Sequence, residues 1–192
     1  PEKKNDPEFI AKFTQIAGKE IGRIEGLIQQ LLDFAKPSPP SFRETDVNRL
    51  IEETLDLIAN KLRSNNIKVN CTLYPKPCPL NIDANQIKQA LLNILLNAID
   101  AMPSGGQLTV ASLVSRISSL ETFVITIADT GNGIAKEDLP HIFEPFFSKK
   151  ASGTGLGLAI TQGIIQEHNG KLKVTSTVNQ GTTFTIELPI KS

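Results

Sequence analysis

Between Ile10 and Phe34 apolar residues return at spacings of three and four, at Ile10, Phe13, Ala17, Ile24, Leu27, Leu31 and Phe34, with Glu20 interrupting the run. That period lays one stripe along an α-helix. Ile16, Ile21, Ile28, Leu32 and Ala35 widen it, and so broad a face suits a helical bundle better than a two-stranded seam. Asp6-Pro7-Glu8 is a helix start, with Asp as the cap, Pro at the first helical position and an acid in the first turn. Lys36-Pro37-Ser38-Pro39-Pro40 stops the helix and makes a stiff linker. Residues 1–38 are therefore expected to form one long bundle helix and its linker, with no partner helix in this chain.

Beyond the linker the period changes repeatedly. Asp46-Val47-Asn48 caps a helix running to about Asn60, Lys68–Leu73 alternates as a strand does, and Leu80–Asp83 is a second short strand. Residues 84–102 read as a helix with Ile87, Leu91, Ile94, Leu95 and Ala98 on one face, ended by Pro103-Ser104-Gly105-Gly106. Strands are expected over Gln107–Ser115 and Thr122–Ala128, and a short helix opens at Lys136-Glu137-Asp138-Leu139. A lid-like loop then runs to Gly153, a helix reaches about His168, and strands close the chain at Lys171–Val178 and Thr182–Leu188. This order predicts an α+β fold for residues 39–192, a two-layer sandwich with helices on one face of a mixed, largely antiparallel sheet.

The chain has 192 residues, 40% of them hydrophobic, enough for one domain with a real core plus an appendage. Twenty basic residues balance twenty acidic ones, so no general footprint for nucleic acid or an anionic membrane exists and anion recognition has to be local. Cys71 and Cys78 lack metal-ligand spacing and read as reduced thiols. No apolar run reaches the ~18–20 residues of a membrane span, and no signal peptide is visible. A cytoplasmic location is expected, in a parent protein that could itself be membrane-anchored.

Candidate chemistry lies in the second unit. Asn93 and Asn97 stand one turn apart among Leu91, Leu92, Leu95 and Leu96, so they are expected in a pocket. An amide oxygen there can complete a Mg²⁺ shell whose other members are phosphates and water. Asp129-Thr130-Gly131-Asn132-Gly133 follows an apolar strand, and its carboxylate can accept from an exocyclic amine such as that of adenine; the competing readings are a plain turn or an aspartic protease half-site. The half-site would need a second carboxylate in an all-β fold. Ile142-Phe143-Glu144-Pro145-Phe146-Phe147 reads as the hydrophobic anchor of a mobile loop, followed by Lys149 and Lys150 near a bound triphosphate. Gly153-Thr154-Gly155-Leu156-Gly157 then leads into a helix, whose first N–H groups suit an anion. Gly181-Thr182 before the last strand reads either as a hydroxyl offered to a base edge, directly or through water, or as a plain β-turn.

In this order the blocks resemble the catalytic part of bacterial sensor histidine kinases, members of the wider family with a Bergerat-type ATP site. The matching blocks are the N box Asn93–Ala98, the G1 box Asp129-x-Gly131-x-Gly133, the F box Phe143–Phe147, the G2 box Gly153-x-Gly155-x-Gly157, and Gly181-Thr182. The F box distinguishes them from chaperone and mismatch-repair relatives. The resemblance implies a Bergerat fold, ATP and Mg²⁺, with Asp129 on the adenine amine and Asn97 with Asn93 on metal and phosphates. It also implies 134–153 as ATP lid and G2 backbone N–H groups on phosphate. One departure is Asp100, where many such kinases carry a basic residue that touches phosphate; Asn97-Ala98-Ile99-Asp100-Ala101 is similar to the nitrogen-regulatory-sensor branch, and the lid lysines are expected to compensate.

By the same resemblance, residues 6–36 are the second helix of a dimerising hairpin that bears the phosphoacceptor histidine, giving a homodimer and a response-regulator receiver domain as partners. The acceptor itself is missing. His141 lies between Pro140 and Ile142, and His168 precedes Asn169-Gly170, neither in an acceptor-like sequence, so both are expected to be structural and the chain alone is expected not to label itself. The implied activity is protein-histidine kinase. The alternatives are a non-kinase ATPase or clamp of the same superfamily, and a nucleotide-binding scaffold.

Overall fold

The computed structural model describes residues 7–35, 39–117, 120–150 and 153–190. The chain divides into two units, residues 1–38 and 39–192. The first holds one helix, α1 (Pro7–Ala35), with a stacked Phe9–Phe13 pair near its start. Phe9, Ile10, Phe13, Ile16, Ile21, Ile24, Ile28, Leu31 and Leu32 are all exposed on it, a pattern that a lone helix in water does not favour. The Asp6 cap, the loop 1–5 and the linker residues 36–38 lie outside the described residues.

The second unit runs β1 (Arg43–Asp46), α2 (Val47–Ser64), β2 (Ile67–Thr72), β3 (Pro79–Ile82), α3 (Ala84–Ala101), β4 (Gly106–Ile117), β5 (Leu120–Asp129), α4 (Gly157–Glu167), β6 (Lys171–Thr177) and β7 (Gly181–Pro189). Five strands make one sheet in the order β2-β4-β5-β7-β6; β2 and β4 are parallel, every other pair antiparallel. Leu108 and Val110 of β4, Phe123, Ile125 and Ile127 of β5, and Phe184, Ile186 and Leu188 of β7 alternate onto one buried face. Helix α3 brings Ile87, Leu91, Ile94, Leu95 and Ala98 into the same core, and α2 and α4 flank it. The expected α+β sandwich and its mixed sheet are borne out.

Two helices start on aspartates. Asp46 accepts from Asn48 N at 3.0 Å, and Asp83 accepts from Asn85 N and Gln86 N through Oδ1 and from Ser41 N through Oδ2. Burial pushes the Asp83 carboxyl up, but the three backbone donors outweigh it and hold it below the usual range. His168 is buried; Nε2 accepts from Asp83 N (2.9 Å) and ties the end of α4 to the start of α3, while Nδ1–H donates to Ile164 O (2.8 Å) within the last turn of α4.

Three expectations are corrected. β1 pairs antiparallel with β3 to form a separate two-stranded sheet that the sequence reading omitted. Helix α2 reaches Ser64, past the expected end near Asn60. The helix expected from Lys136 is a series of turns instead, with Asp138 N on Ala135 O, His141 N on Asp138 O and Glu144 N on His141 O. Pro140 has no N–H to continue a helical ladder there.

Candidate nucleotide site

Asp129 ends β5 on the buried face of the sheet. Its Oδ1 accepts from Gly131 N (2.8 Å) and Thr182 N (3.3 Å), which fixes the carboxylate and leaves Oδ2 for a ligand. Burial pushes its carboxyl above the usual aspartate range, and the two backbone donors only partly offset this. The G1 loop leaves this strand in a tight path. Gly133 has φ +68°, and a Cβ there would lie 2.1 Å from Thr177 O, so only glycine fits. Asn132 N donates to Ala101 O (3.0 Å) and Asn179 N to Asn132 O (2.8 Å), so the loop is held between the end of α3 and the β6–β7 turn.

Ser176 completes this floor, and the sequence reading did not single it out. Its Oγ accepts from Ile134 N (2.8 Å), donates to Gly181 O (2.8 Å) and meets Thr182 Oγ1 at 2.9 Å. A serine in an alternating strand carries no special signal; only the fold brings it beside residues so far along the chain.

The two asparagines of α3 do different things. Asn93 donates through Nδ2 to Gly157 O (3.0 Å) and Thr161 Oγ1 (3.3 Å), so its amide nitrogen joins α3 to the first turn of α4. Asn97 presents its oxygen: Oδ1 accepts from Lys150 Nζ at 2.8 Å. The same ammonium reaches Asp100 Oδ2 at 3.1 Å, and Lys61 of α2 lies 3.5 Å from Asp100 Oδ1. The acid that departs from the kinase pattern thus sits between two lysines. Lys149 turns away, onto Asp138 at 2.6 Å.

The F and G2 boxes pack back to back. Phe146 N donates to Gly155 O (3.1 Å), and Gly155, at φ +70°, would push a Cβ to 2.4 Å from the Phe146 carbonyl carbon. Phe143 and Phe147 pack on the core and anchor the loop as expected of them, whereas Phe146 is exposed and itself has a left-handed backbone, φ +68°. Gly153 N donates to Lys150 O, Thr154 Oγ1 accepts from Leu156 N, and the Leu156 side chain is buried in the core. Among the described residues no side chain caps α4, so the first N–H groups of that helix suit an anion.

A family model described as histidine kinase-, DNA gyrase B- and HSP90-like ATPases matches residues 82–192, from the end of β3 through β7. The chain belongs to this ATPase family. Sensor histidine kinase ZraS of Salmonella typhi is 36% identical over 179 residues, which cover 93% of this chain and 38% of the relative. Sporulation kinase C of Bacillus subtilis strain 168 is 37% identical over 181 residues, 94% of this chain and 41% of the relative. The chain spans about two fifths of the length of these curated relatives. A nucleotide-free structure of the catalytic domain of histidine kinase ThkA superposes with a TM-score of 0.70 at 33% identity, over 78% of this chain and 96% of that one. ThkA in complex with the response regulator protein TrrA gives a TM-score of 0.78 at 30% identity, covering 97% of this chain and 53% of that one. Within the ATPase family the chain is therefore a histidine kinase catalytic domain. The Asp-Thr-Gly at 129–131 lies within the residues that the ATPase family model matches, and the protease reading falls.

Proposed function

We propose that this kinase domain binds ATP with Mg²⁺ and passes the γ-phosphate to a histidine on another segment, for onward transfer to a response-regulator aspartate. The arrangement of Asp129 supports this most directly: a buried carboxylate with Oδ1 held by two backbone N–H groups and Oδ2 left to meet an adenine amine. Asn97, Lys150 and the start of α4 are the groups proposed to meet the phosphates. ThkA forms a complex with a response regulator protein, and the same class of partner is proposed here.

Asn97 fits a metal best, because its exposed oxygen already receives a cation, the Lys150 ammonium. An amide oxygen is a hard ligand of the kind Mg²⁺ takes alongside phosphates and water. Asn93 is the lesser candidate, since its nitrogen is committed to α4. When bound, the ion would neutralise charge on the phosphates; the chain's own part is to orient ATP and shield it from water. Lys150 is the lid's proposed phosphate contact, and Lys149, on Asp138, the lesser one. Residues 1–38 are proposed to be the second helix of the acceptor hairpin, and residues 6–36, with their apolar stripe, the homodimer contact. No helix among the described residues is long and apolar enough to cross a membrane, and a cytoplasmic placement is part of the proposal.

Incubation of the chain with γ-labelled ATP and a separately supplied histidine-bearing hairpin tests the reading. Acid-labile, alkali-stable label on the hairpin and none on this chain is expected. Free phosphate alone would instead make it an ATPase or clamp, and bound nucleotide without turnover a scaffold.

A further inference from the structure

Ser176 has three polar partners and one hydrogen. Its Oγ must accept from Ile134 N, because a backbone amide only donates, and it must donate to Gly181 O, because a carbonyl only accepts. Its hydrogen is then used and one lone pair remains. The 2.9 Å contact with Thr182 Oγ1 can be a hydrogen bond only if Thr182 is the donor. Thr182 is buried, and its own N–H is already on Asp129 Oδ1. With its hydroxyl hydrogen turned to Ser176, Thr182 offers a ligand nothing but lone pairs. The neighbouring Asp129 carboxylate is likewise an acceptor when ionised.

We propose that Ser176 is a specificity-determining positioning residue of the base site: by holding the Thr182 hydroxyl as an acceptor beside Asp129, it makes the site take a 6-amino purine and reject a 6-oxo purine. The inference rests on the ATP reading above. An exocyclic amine carries two N–H donors for two acceptor groups. A 6-oxo group would set an oxygen against oxygens with no hydrogen between them, and buried unpaired acceptors are costly. Without Ser176 the Thr182 hydroxyl is free to rotate and donate, which relieves that mismatch.

The test is equilibrium binding of ATP and of inosine triphosphate, which differ at the purine 6-position, to the 192-residue chain and its variants. Wild type should prefer ATP. Ser176→Ala should lower the ATP-to-inosine-triphosphate preference by about tenfold or more, and Ser176→Thr, which keeps a hydroxyl, should restore it. A purely structural role for Ser176 would weaken both nucleotides together and leave their ratio unchanged; that result, with ATP still bound, overturns the proposal alone. Wild type that binds neither nucleotide overturns the ATP reading and this inference with it. Should circular dichroism find Ser176→Ala unfolded, Ser176→Cys, close in size and a weak donor, is read by the same ratio: a fall supports the proposal and no change overturns it.

Discussion

Asn93→Asp separates two uses of one side chain. As a metal ligand, Asn93 would tolerate a carboxylate, since oxygen replaces oxygen, and the nucleotide-free domain would not notice. As a strut it would not, because both contacts use the nitrogen, 3.0 Å from Gly157 O and 3.3 Å from Thr161 Oγ1. Asn93→Ala removes two neutral hydrogen bonds, but Thr161 Oγ1 still donates to Gly157 O at 2.8 Å, so the carbonyl stays satisfied. The expected loss is about 1–2 kcal/mol. Asn93→Asp removes the same bonds and adds an acceptor, leaving the single Thr161 hydrogen to be shared between the new carboxylate and the Gly157 carbonyl. One of them goes unpaired in a half-buried place, a further ~1–3 kcal/mol. A total of about 2–5 kcal/mol corresponds to a fall in Tm of roughly 4–20 °C for a domain of this size. Asn97→Asp is the control: its oxygen faces Lys150, and an exposed ion pair changes stability by under ~1 kcal/mol. Thermal and urea melts without nucleotide or Mg²⁺, followed by two probes to check two-state behaviour, measure all three. Asn93→Asp melting with wild type while Asn97→Asp does the same would refute the strut.

Asp129→Asn should cost about 10–100-fold in ATP affinity, the loss of a charge-assisted contact, yet leave the neutral-pH melting point unchanged or higher. Burial raises the native carboxyl, so its contribution to stability is present below the unfolded pKa and lost as pH rises through the folded one; equal ATP binding, or a lower Tm, would contradict this. ATP affinity of the wild type should accordingly fall in acid at a higher pH than an ordinary aspartate titrates. Asp83→Ala should destabilise by ~1–2 kcal/mol at pH 7 through the lost helix cap. Since the Asp83 carboxyl is held low, that deficit should persist in mild acid and close only as pH falls through the folded pKa, which pH-dependent urea melts would reveal. Lys150→Gln should weaken ATP more than Lys149→Gln, and Asp100→Asn should tighten it by about 2–5-fold by freeing Lys150 for phosphate; titrations in which the two lysines count equally would remove the lid assignment.

How far the sequence could be read follows from what each residue type can do by itself. The loop path at Gly133 and Gly155 was legible because no side chain fits there, whereas the residues alone left Asp129 open between a plain turn and an amine acceptor, because a carboxylate at a strand end suits both. β1 was not legible: Arg43-Glu44-Thr45-Asp46 has no apolar alternation, and it is a strand because β3 lies against it. The turn at Lys136–Leu139 was misread because its good helix formers were weighed without Pro140, which offers no N–H to the Lys136 carbonyl and disfavours a helical backbone at Leu139. Ser176 was invisible for a different reason, since a hydroxyl's role is set by what its few partners leave over, and those partners come from 42 residues upstream and 5–6 downstream. Asn93 and Asn97 show the limit most clearly. An amide is donor and acceptor at once, so a spacing of one helical turn places two of them on one side of α3 without saying which end each will use. The Gly157 carbonyl decides the first and the Lys150 ammonium the second, and both belong to the segment that carries the F and G2 boxes. The two amides therefore acquire different tasks only from the segment packed against them: Asn93 holds α4 in place, and Asn97 turns its oxygen to the Lys150 ammonium.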